Sequence, residues 1–324
     1  MPLIEPPSLP DFIASLLPFE RKAYELEKGN FAGHLIHFLD HGSRTGQVVL
    51  MLHGNPTWSF LWRKVITALD PDQFRCVAPD LLGLGCSSKP RETTAHTLAG
   101  HVEVMCEWFE ALDLQDVILV GQDWGGPIVT GIGARFPNRI KGIVLGNTSV
   151  RVPRNPRGSA VQRFSRLPLL SDFGFRVLGF PQNVLGRVQG DPASIRGDVA
   201  RAYRWPVRGY GNRAAPLAMA RMVPNSTQHP SMALLMQIEA WMDAFEGPMA
   251  LVWGERDPIL GGALKTHVEA FPQAKVTRTE AGHFLQEEVS QEIADAIVDV
   301  STRSSRFAII SPSQTCSTSI PASS

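Results

Sequence analysis

Val120-Gly121-Gln122-Asp123-Trp124-Gly125-Gly126 closes a short apolar run, Val117-Ile118-Leu119-Val120, and precedes a helix-like stretch from Pro127 to Phe136. Glycines flank the central Asp123 on both sides, at 121 and 125. That spacing allows a sharp strand-to-helix turn that pushes the central side chain out at the C-terminal edge of a sheet. The following helix adds free backbone N–H groups and a positive dipole end. The familiar form of this turn carries Ser, whose alkoxide attacks a carbonyl. A carboxylate there does different chemistry. It is ionised at neutral pH and displaces a leaving group from saturated carbon, leaving an alkyl-enzyme ester for water to hydrolyse.

Working outward, further apolar runs occur at Val48–Leu52, Cys76–Ala78, Gly142–Gly146 and Met249–Trp253. They are rich in Val, Ile and Leu and separated by helix-length segments, the pattern of a parallel sheet covered on both faces. Leu98, Val102, Met105, Trp108, Phe109 and Leu112 recur at helical spacing and predict a helix from about Thr97 to Leu112. Residues 20–40 alternate in two runs and suggest an antiparallel hairpin at the start of the sheet. Together 1–150 and 226–300 read as one core. The intervening 151–225, rich in Pro, Gly and Arg, breaks the rhythm and reads as a helical lid inserted in it. Residues 301–324 are half Ser and Thr, 12 of 24, and read as a disordered tail, with apolar Phe307–Ile310 inside it.

Across 324 residues, Lys+Arg and Asp+Glu are both 31, so the formal net charge is zero. That balance speaks against nucleic acid and against an anionic membrane surface as partners. It leaves little mutual repulsion between copies, which favours self-association. Residues 124–171 nevertheless hold eight basic side chains and no acidic one. They read as a solvated face, with a partner-binding surface as the sharper alternative. Cys76, Cys86, Cys106 and Cys316 form no CxxC pair, so neither a disulfide framework nor a zinc site is expected and a reducing, cytoplasmic location is. The N-terminus shows no basic region followed by an apolar run, so no signal peptide is expected. No apolar stretch approaches the length of a membrane span.

The base and its orienting acid follow the nucleophile in chain order. Asp257 lies in Gly254-Glu255-Arg256-Asp257-Pro258, just past the fifth run, and His283 follows the short run Lys275–Thr279. Nucleophile, acid, histidine is the order of this turn's triads. His283 is placed to take a proton from water as the ester is hydrolysed, with Asp257 holding its tautomer. No Asp or Glu occurs from 124 to 171, which leaves Asp257 as the acid and Glu255 as a poor second. His53, His34 and His37 are weaker bases because none follows the last strands. His53-Gly54-Asn55-Pro56 ends the first run, and Asn55 and Trp124 offer backbone N–H groups for an oxyanion. Their side chains add an amide NH₂ and an indole N–H, neutral donors suited to a departing halide.

His53 to Arg63, Gly121 to Pro127, Trp253 to Pro258 and Gly282-His283 together resemble the haloalkane dehalogenases, of the α/β-hydrolase fold, over roughly residues 20–300. The Asn-Trp pair with a late acid resembles their third subfamily. The resemblance implies Asp123 as nucleophile, His283 as base, Asp257 as acid, and Asn55 and Trp124 as the halide-stabilising pair. It also implies a small apolar halogenated substrate, water as co-substrate, a detoxifying role, no metal or organic cofactor, and homo-oligomers. Phe164, Phe173, Phe175, Phe180 and Trp205 are expected to line the lid or form its core.

The rival is an epoxide hydrolase, which shares the Asp-Trp turn and protonates its substrate through two lid tyrosines, here Tyr203 and Tyr210. Asn55 speaks against it, because epoxide hydrolases usually place an aromatic or apolar residue between that Gly and Pro. A fluoroacetate dehalogenase resembles a turn with Arg in place of Trp124, and a cofactor-free luciferase-type oxygenase is more distant. From a different class, a non-catalytic binding protein of this fold is disfavoured because every catalytic position is filled.

Overall fold

A computed structural model describes residues 3–154, 156 and 159–310, with side chains as far as Ser305. Nine strands form one sheet: β1 (Leu3–Ile4), β2 (Arg21–Glu25), β3 (Leu35–Gly42), β4 (Gln47–Leu52), β5 (Phe74–Pro79), β6 (Val117–Asp123), β7 (Ile140–Thr148), β8 (Met249–Gly254) and β9 (Lys275–Thr279). Their order is β1-β2-β3-β5-β4-β6-β7-β8-β9. The expected hairpin is present: β2 and β3 pair antiparallel, Ala23 opposite His37. From β5 onward the pairing is parallel. The central strands are buried on both faces, which is why they read as unbroken apolar runs.

Two apolar clusters, one on each face, hold the sheet between helix layers. Helix Leu98–Ala111 matches its expected span and buries Leu98, Val102, Met105, Trp108 and Phe109. Its start is set by Thr97, whose hydroxyl accepts from the Gly100 N–H at 3.0 Å, a cap worth about 1 kcal/mol.

Residues 151–225 carry short helices, among them Ala160–Phe164, Gly197–Arg204 and Ala214–Met222, with a π-helical turn at Phe173–Val177. The aromatics expected here sort by burial. Phe175 is fully buried, and Phe164 and Phe180 pack on it with Leu217 and Ala220. Phe173 is exposed, and Trp205 packs against one of the two main clusters. The three clustered phenylalanines therefore form a small core of this segment's own.

The tail departs from expectation. Helix Ser290–Ile310 runs through its first ten residues, and residues 311–324 lie outside the described ones. Ile293, Ala294, Ile297 and Val300 are buried against the sheet. Ser304, also buried, donates to Lys141 O at 2.9 Å. Tertiary packing overrides the Ser/Thr composition. The side chains of Phe307–Ile310 are outside the described residues.

Candidate active site

Asp123 ends β6 with φ +50°, a left-handed backbone conformation for a residue with a side chain. The turn is possible because its neighbours are bare. A Cβ at Gly125 would run into the Leu52 carbonyl, and one at Gly54 into the Asp123 carboxylate. Thr148, at the end of β7, donates its hydroxyl to Asp123 O at 2.6 Å.

The Asn55 N–H donates to Asp123 Oδ1 at 2.7 Å. Burial pushes the Asp123 carboxyl above its ordinary range, against the pull of His283 and of the Trp124 and Asn55 N–H groups. Its other oxygen, Oδ2, lies 3.7 Å from His283 Nε2. His283 Nδ1 is 2.8 Å from Asp257 Oδ2. Burial alone would lower His283, but the Asp257 and Asp123 carboxylates hold it above its usual value. Asp257 is buried, yet its contacts with His283, Asn147 and the Ile259 N–H keep it below the ordinary carboxylate range. The structure thus brings Asp123, His283 and Asp257 into one chain of contacts.

Glu255 is not part of it and pairs on the surface with Arg278 at 2.6 Å. The three weaker candidate bases each have a partner elsewhere. His53 accepts from the Leu81 N–H through Nε2 at 3.0 Å, and His37 lies 2.8 Å from buried Asp80. His34 contacts the Phe31 carbonyl at 3.1 Å.

Two supporting residues escaped sequence reasoning. Asn147 (φ +35°) at the end of β7 donates to Asp257 Oδ2 at 2.7 Å and to Gly254 O at 3.0 Å, while its Oδ1 accepts from the Gly254 N–H at 2.7 Å. Gln122 donates to His283 O at 3.0 Å. The sequence signal for Asn147 is the lack of any Asp or Glu from 124 to 171, which leaves an amide at the end of β7.

The side chains of Asn55 and Trp124 face helix Ala214–Met222. Asn55 Nδ2 donates to Pro216 O at 3.1 Å, and Trp124 Nε1 donates to Met219 O at 3.0 Å. Asn55 keeps a second amide hydrogen, but the indole has one N–H only. Asn55 Oδ1 is buried without a partner.

Of the two candidate tyrosines, one is committed to another side chain and the other packs at the surface. Tyr203 is buried and donates to Glu287 Oε1 at 2.6 Å. Glu287 also holds Arg63 bidentate at 2.5 and 2.8 Å. Tyr210 is half exposed beneath the Arg176 guanidinium, 3.9 Å from the ring centroid.

Residues 47–289 match the α/β-hydrolase fold family. The chain is 33% identical to a haloalkane dehalogenase of Mycolicibacterium paratuberculosis over 271 residues, 81% of this chain and 86% of that one. It is 35% identical to haloalkane dehalogenase 1 of Mycobacterium tuberculosis over 258 residues, 77% and 82% of the two chains. Haloalkane dehalogenase DatA from Agrobacterium tumefaciens superposes with a TM-score of 0.75 at 28% identity, covering 89% of this chain and 97% of that one. The tetrameric haloalkane dehalogenase DpaA from Paraglaciecola agarilytica shares the fold, with a TM-score of 0.78 at 24% identity over 92% and 98%. The chain belongs to the haloalkane dehalogenase family of α/β hydrolases.

Proposed function

We propose that this chain hydrolyses haloalkanes to alcohol and halide through a covalent ester on Asp123. The observation that carries the reading is the unequal state of the two Asp123 oxygens. Oδ1 is held by the Asn55 N–H, whereas Oδ2 stands 3.7 Å from His283 Nε2. Oδ2 is the attacking oxygen: its bond to carbon forms as the carbon–halogen bond breaks and halide leaves. Oδ1 then becomes the ester carbonyl oxygen, already seated where an oxyanion needs a donor. His283 Nε2 takes a proton from water, the hydroxide adds to the ester carbonyl, and collapse releases the alcohol and the Asp123 carboxylate. Asp257 stabilises the imidazolium formed on the way.

Asn55 and Trp124 supply the halide donors, and the segment 151–225 acts as the lid. Because the indole N–H is engaged by Met219 O, helix Ala214–Met222 must yield that donor as halide charge develops. Against the epoxide hydrolase reading, the Tyr203 hydroxyl is committed to Glu287 and the Tyr210 ring packs under Arg176.

Purified protein incubated with bromo- and iodoalkanes, and separately with styrene oxide, tests the assignment. Halide release that is lost in Asp123→Ala is expected. Diol without halide would transfer the assignment to epoxide hydrolysis.

A further inference from the structure

The net charge of zero conceals a strong division. Segment 151–225 contains thirteen arginines, no lysine, three aspartates and no glutamate, a formal charge of +10, so the rest of the chain carries −10. On the same segment, large apolar side chains stand in solvent. Leu169 is 84% exposed, and Leu170, Phe173, Val177 and Leu178 are each more than half exposed. The tip is a tight turn with Leu169 at φ +62°, ψ −48°, closed by Leu170 N–H donating to Pro168 O at 2.6 Å. This is the rare, strained form of γ-turn, and it projects its leucine outward. Gly174 and Phe175 turn inward to the segment's own core while Phe173 and Val177 turn outward, so the outer face is apolar over a packed base.

Cations border this face. Arg163, on helix Ala160–Phe164, and Arg208, next to the turn Tyr210–Arg213 that packs on the π-helical turn, are exposed. Neither has a carboxylate within 4.0 Å among the described residues. Exposed apolar patches with a polar rim mark interaction sites.

We propose that this face docks on an anionic lipid bilayer, with the Leu169 tip among the headgroups and acyl ends and the arginines on lipid phosphates. A bilayer meets both parts of the face at once: apolar side chains enter the interface, and basic ones gain from its negative surface potential. The alternative occupant is the acidic core of a second copy. That contact joins unlike surfaces, which must either close into a ring or run on as a filament, and a projecting tip suits a yielding surface better than a packed one. The contact is peripheral: among the described residues no helix is long and apolar enough to cross a membrane. The net charge averages over this regional field.

Flotation of the full chain with phosphatidylglycerol vesicles, against phosphatidylcholine vesicles, tests the proposal. The protein is expected to float with the anionic vesicles, to float much less with the neutral ones, and to lose binding as salt shortens the screening length. Leu169→Asp, at a side chain too exposed to hold the fold, is expected to weaken binding about tenfold or more with thermal stability unchanged. Arg163→Glu with Arg208→Glu is expected to weaken it by a similar factor, since each basic residue near an anionic surface contributes roughly fivefold. Equal flotation with both vesicles, absence from both, or undiminished binding by both variants would overturn the proposal. Self-association in sedimentation that Leu169→Asp abolishes, with no vesicle binding, would assign the face to a second copy instead.

Discussion

Asn147 Nδ2 and His283 Nδ1 meet on one oxygen of Asp257, at 2.7 and 2.8 Å. The amide fixes the carboxylate on Gly254 and leaves it aimed at the imidazole. Asn147→Ala removes that support and leaves a buried carboxylate short of a donor, a loss of about 1–3 kcal/mol. Steady-state kinetics on a bromoalkane are expected to show kcat lower by roughly tenfold to a hundredfold with little change in KM. An unchanged kcat would show that Asp257 needs no such anchor.

Asp123 illustrates a conflict between stability and function. Its carboxyl is raised by burial, so at neutral pH the ionised form is less favourable in the folded state than in the unfolded chain. Asp123→Asn removes that charge, and Asn tolerates the left-handed backbone at this position. Turnover is expected to vanish while Tm rises by roughly 1–3 °C. A fall in Tm would mean that attraction to His283 outweighs the burial cost.

Asp123, Asp257 and His283, proposed as nucleophile, acid and base, were legible because each lies at or just past a strand end in a short local pattern, and local turns are written in adjacent residues. Asn147 and Gln122 were not, because their roles depend on strands that meet only in the folded sheet. The same limit applied to Phe175, whose burial depends on how the segment 151–225 folds on itself. Tyr203 looked like an acid for substrate until its partner Glu287, far along the chain, came into contact. In the tail, composition pointed to disorder, while the spacing of Ile293, Ile297 and Val300 carried a helix onward past residue 300.

The pH dependence follows from His283. Burial pushes its pKa down, but Asp257 and Asp123 outweigh that and hold it above 6.5. As a base it works only when neutral, and in the ester, where Asp123 is uncharged, Asp257 alone holds its proton, so turnover is expected to rise with pH as His283 gives that proton up. Stability runs the other way: the His283 contribution is complete below the unfolded value and fades as pH climbs through the folded one. The Asp257 contribution, from a lowered pKa, is present above the unfolded value near 3.8 and is lost as pH falls through the folded one. Rate and Tm measured across pH check both signs, and turnover that falls as pH rises through the histidine range would contradict the assignment of His283.

Glu287 joins three elements through Arg63, Lys64 and Tyr203. Arg63 and Glu287 are both buried. Glu287→Ala strands the guanidinium without its partner, and such a loss costs roughly 3–5 kcal/mol. Denaturant unfolding is expected to show a lower midpoint with an unchanged slope. A destabilisation under about 1 kcal/mol would class the pair with surface ion pairs.

The covalent ester is directly observable by intact-protein mass spectrometry of His283→Gln after incubation with a bromoalkane. Without the base, Asp123 is still expected to displace bromide, but water can no longer clear the ester. One alkyl group is expected to accumulate per chain, peptide mapping to place it on Asp123, and Asp123→Asn in the same background to abolish it. Halide release by His283→Gln continuing over many turnovers with no adduct would contradict the covalent ester.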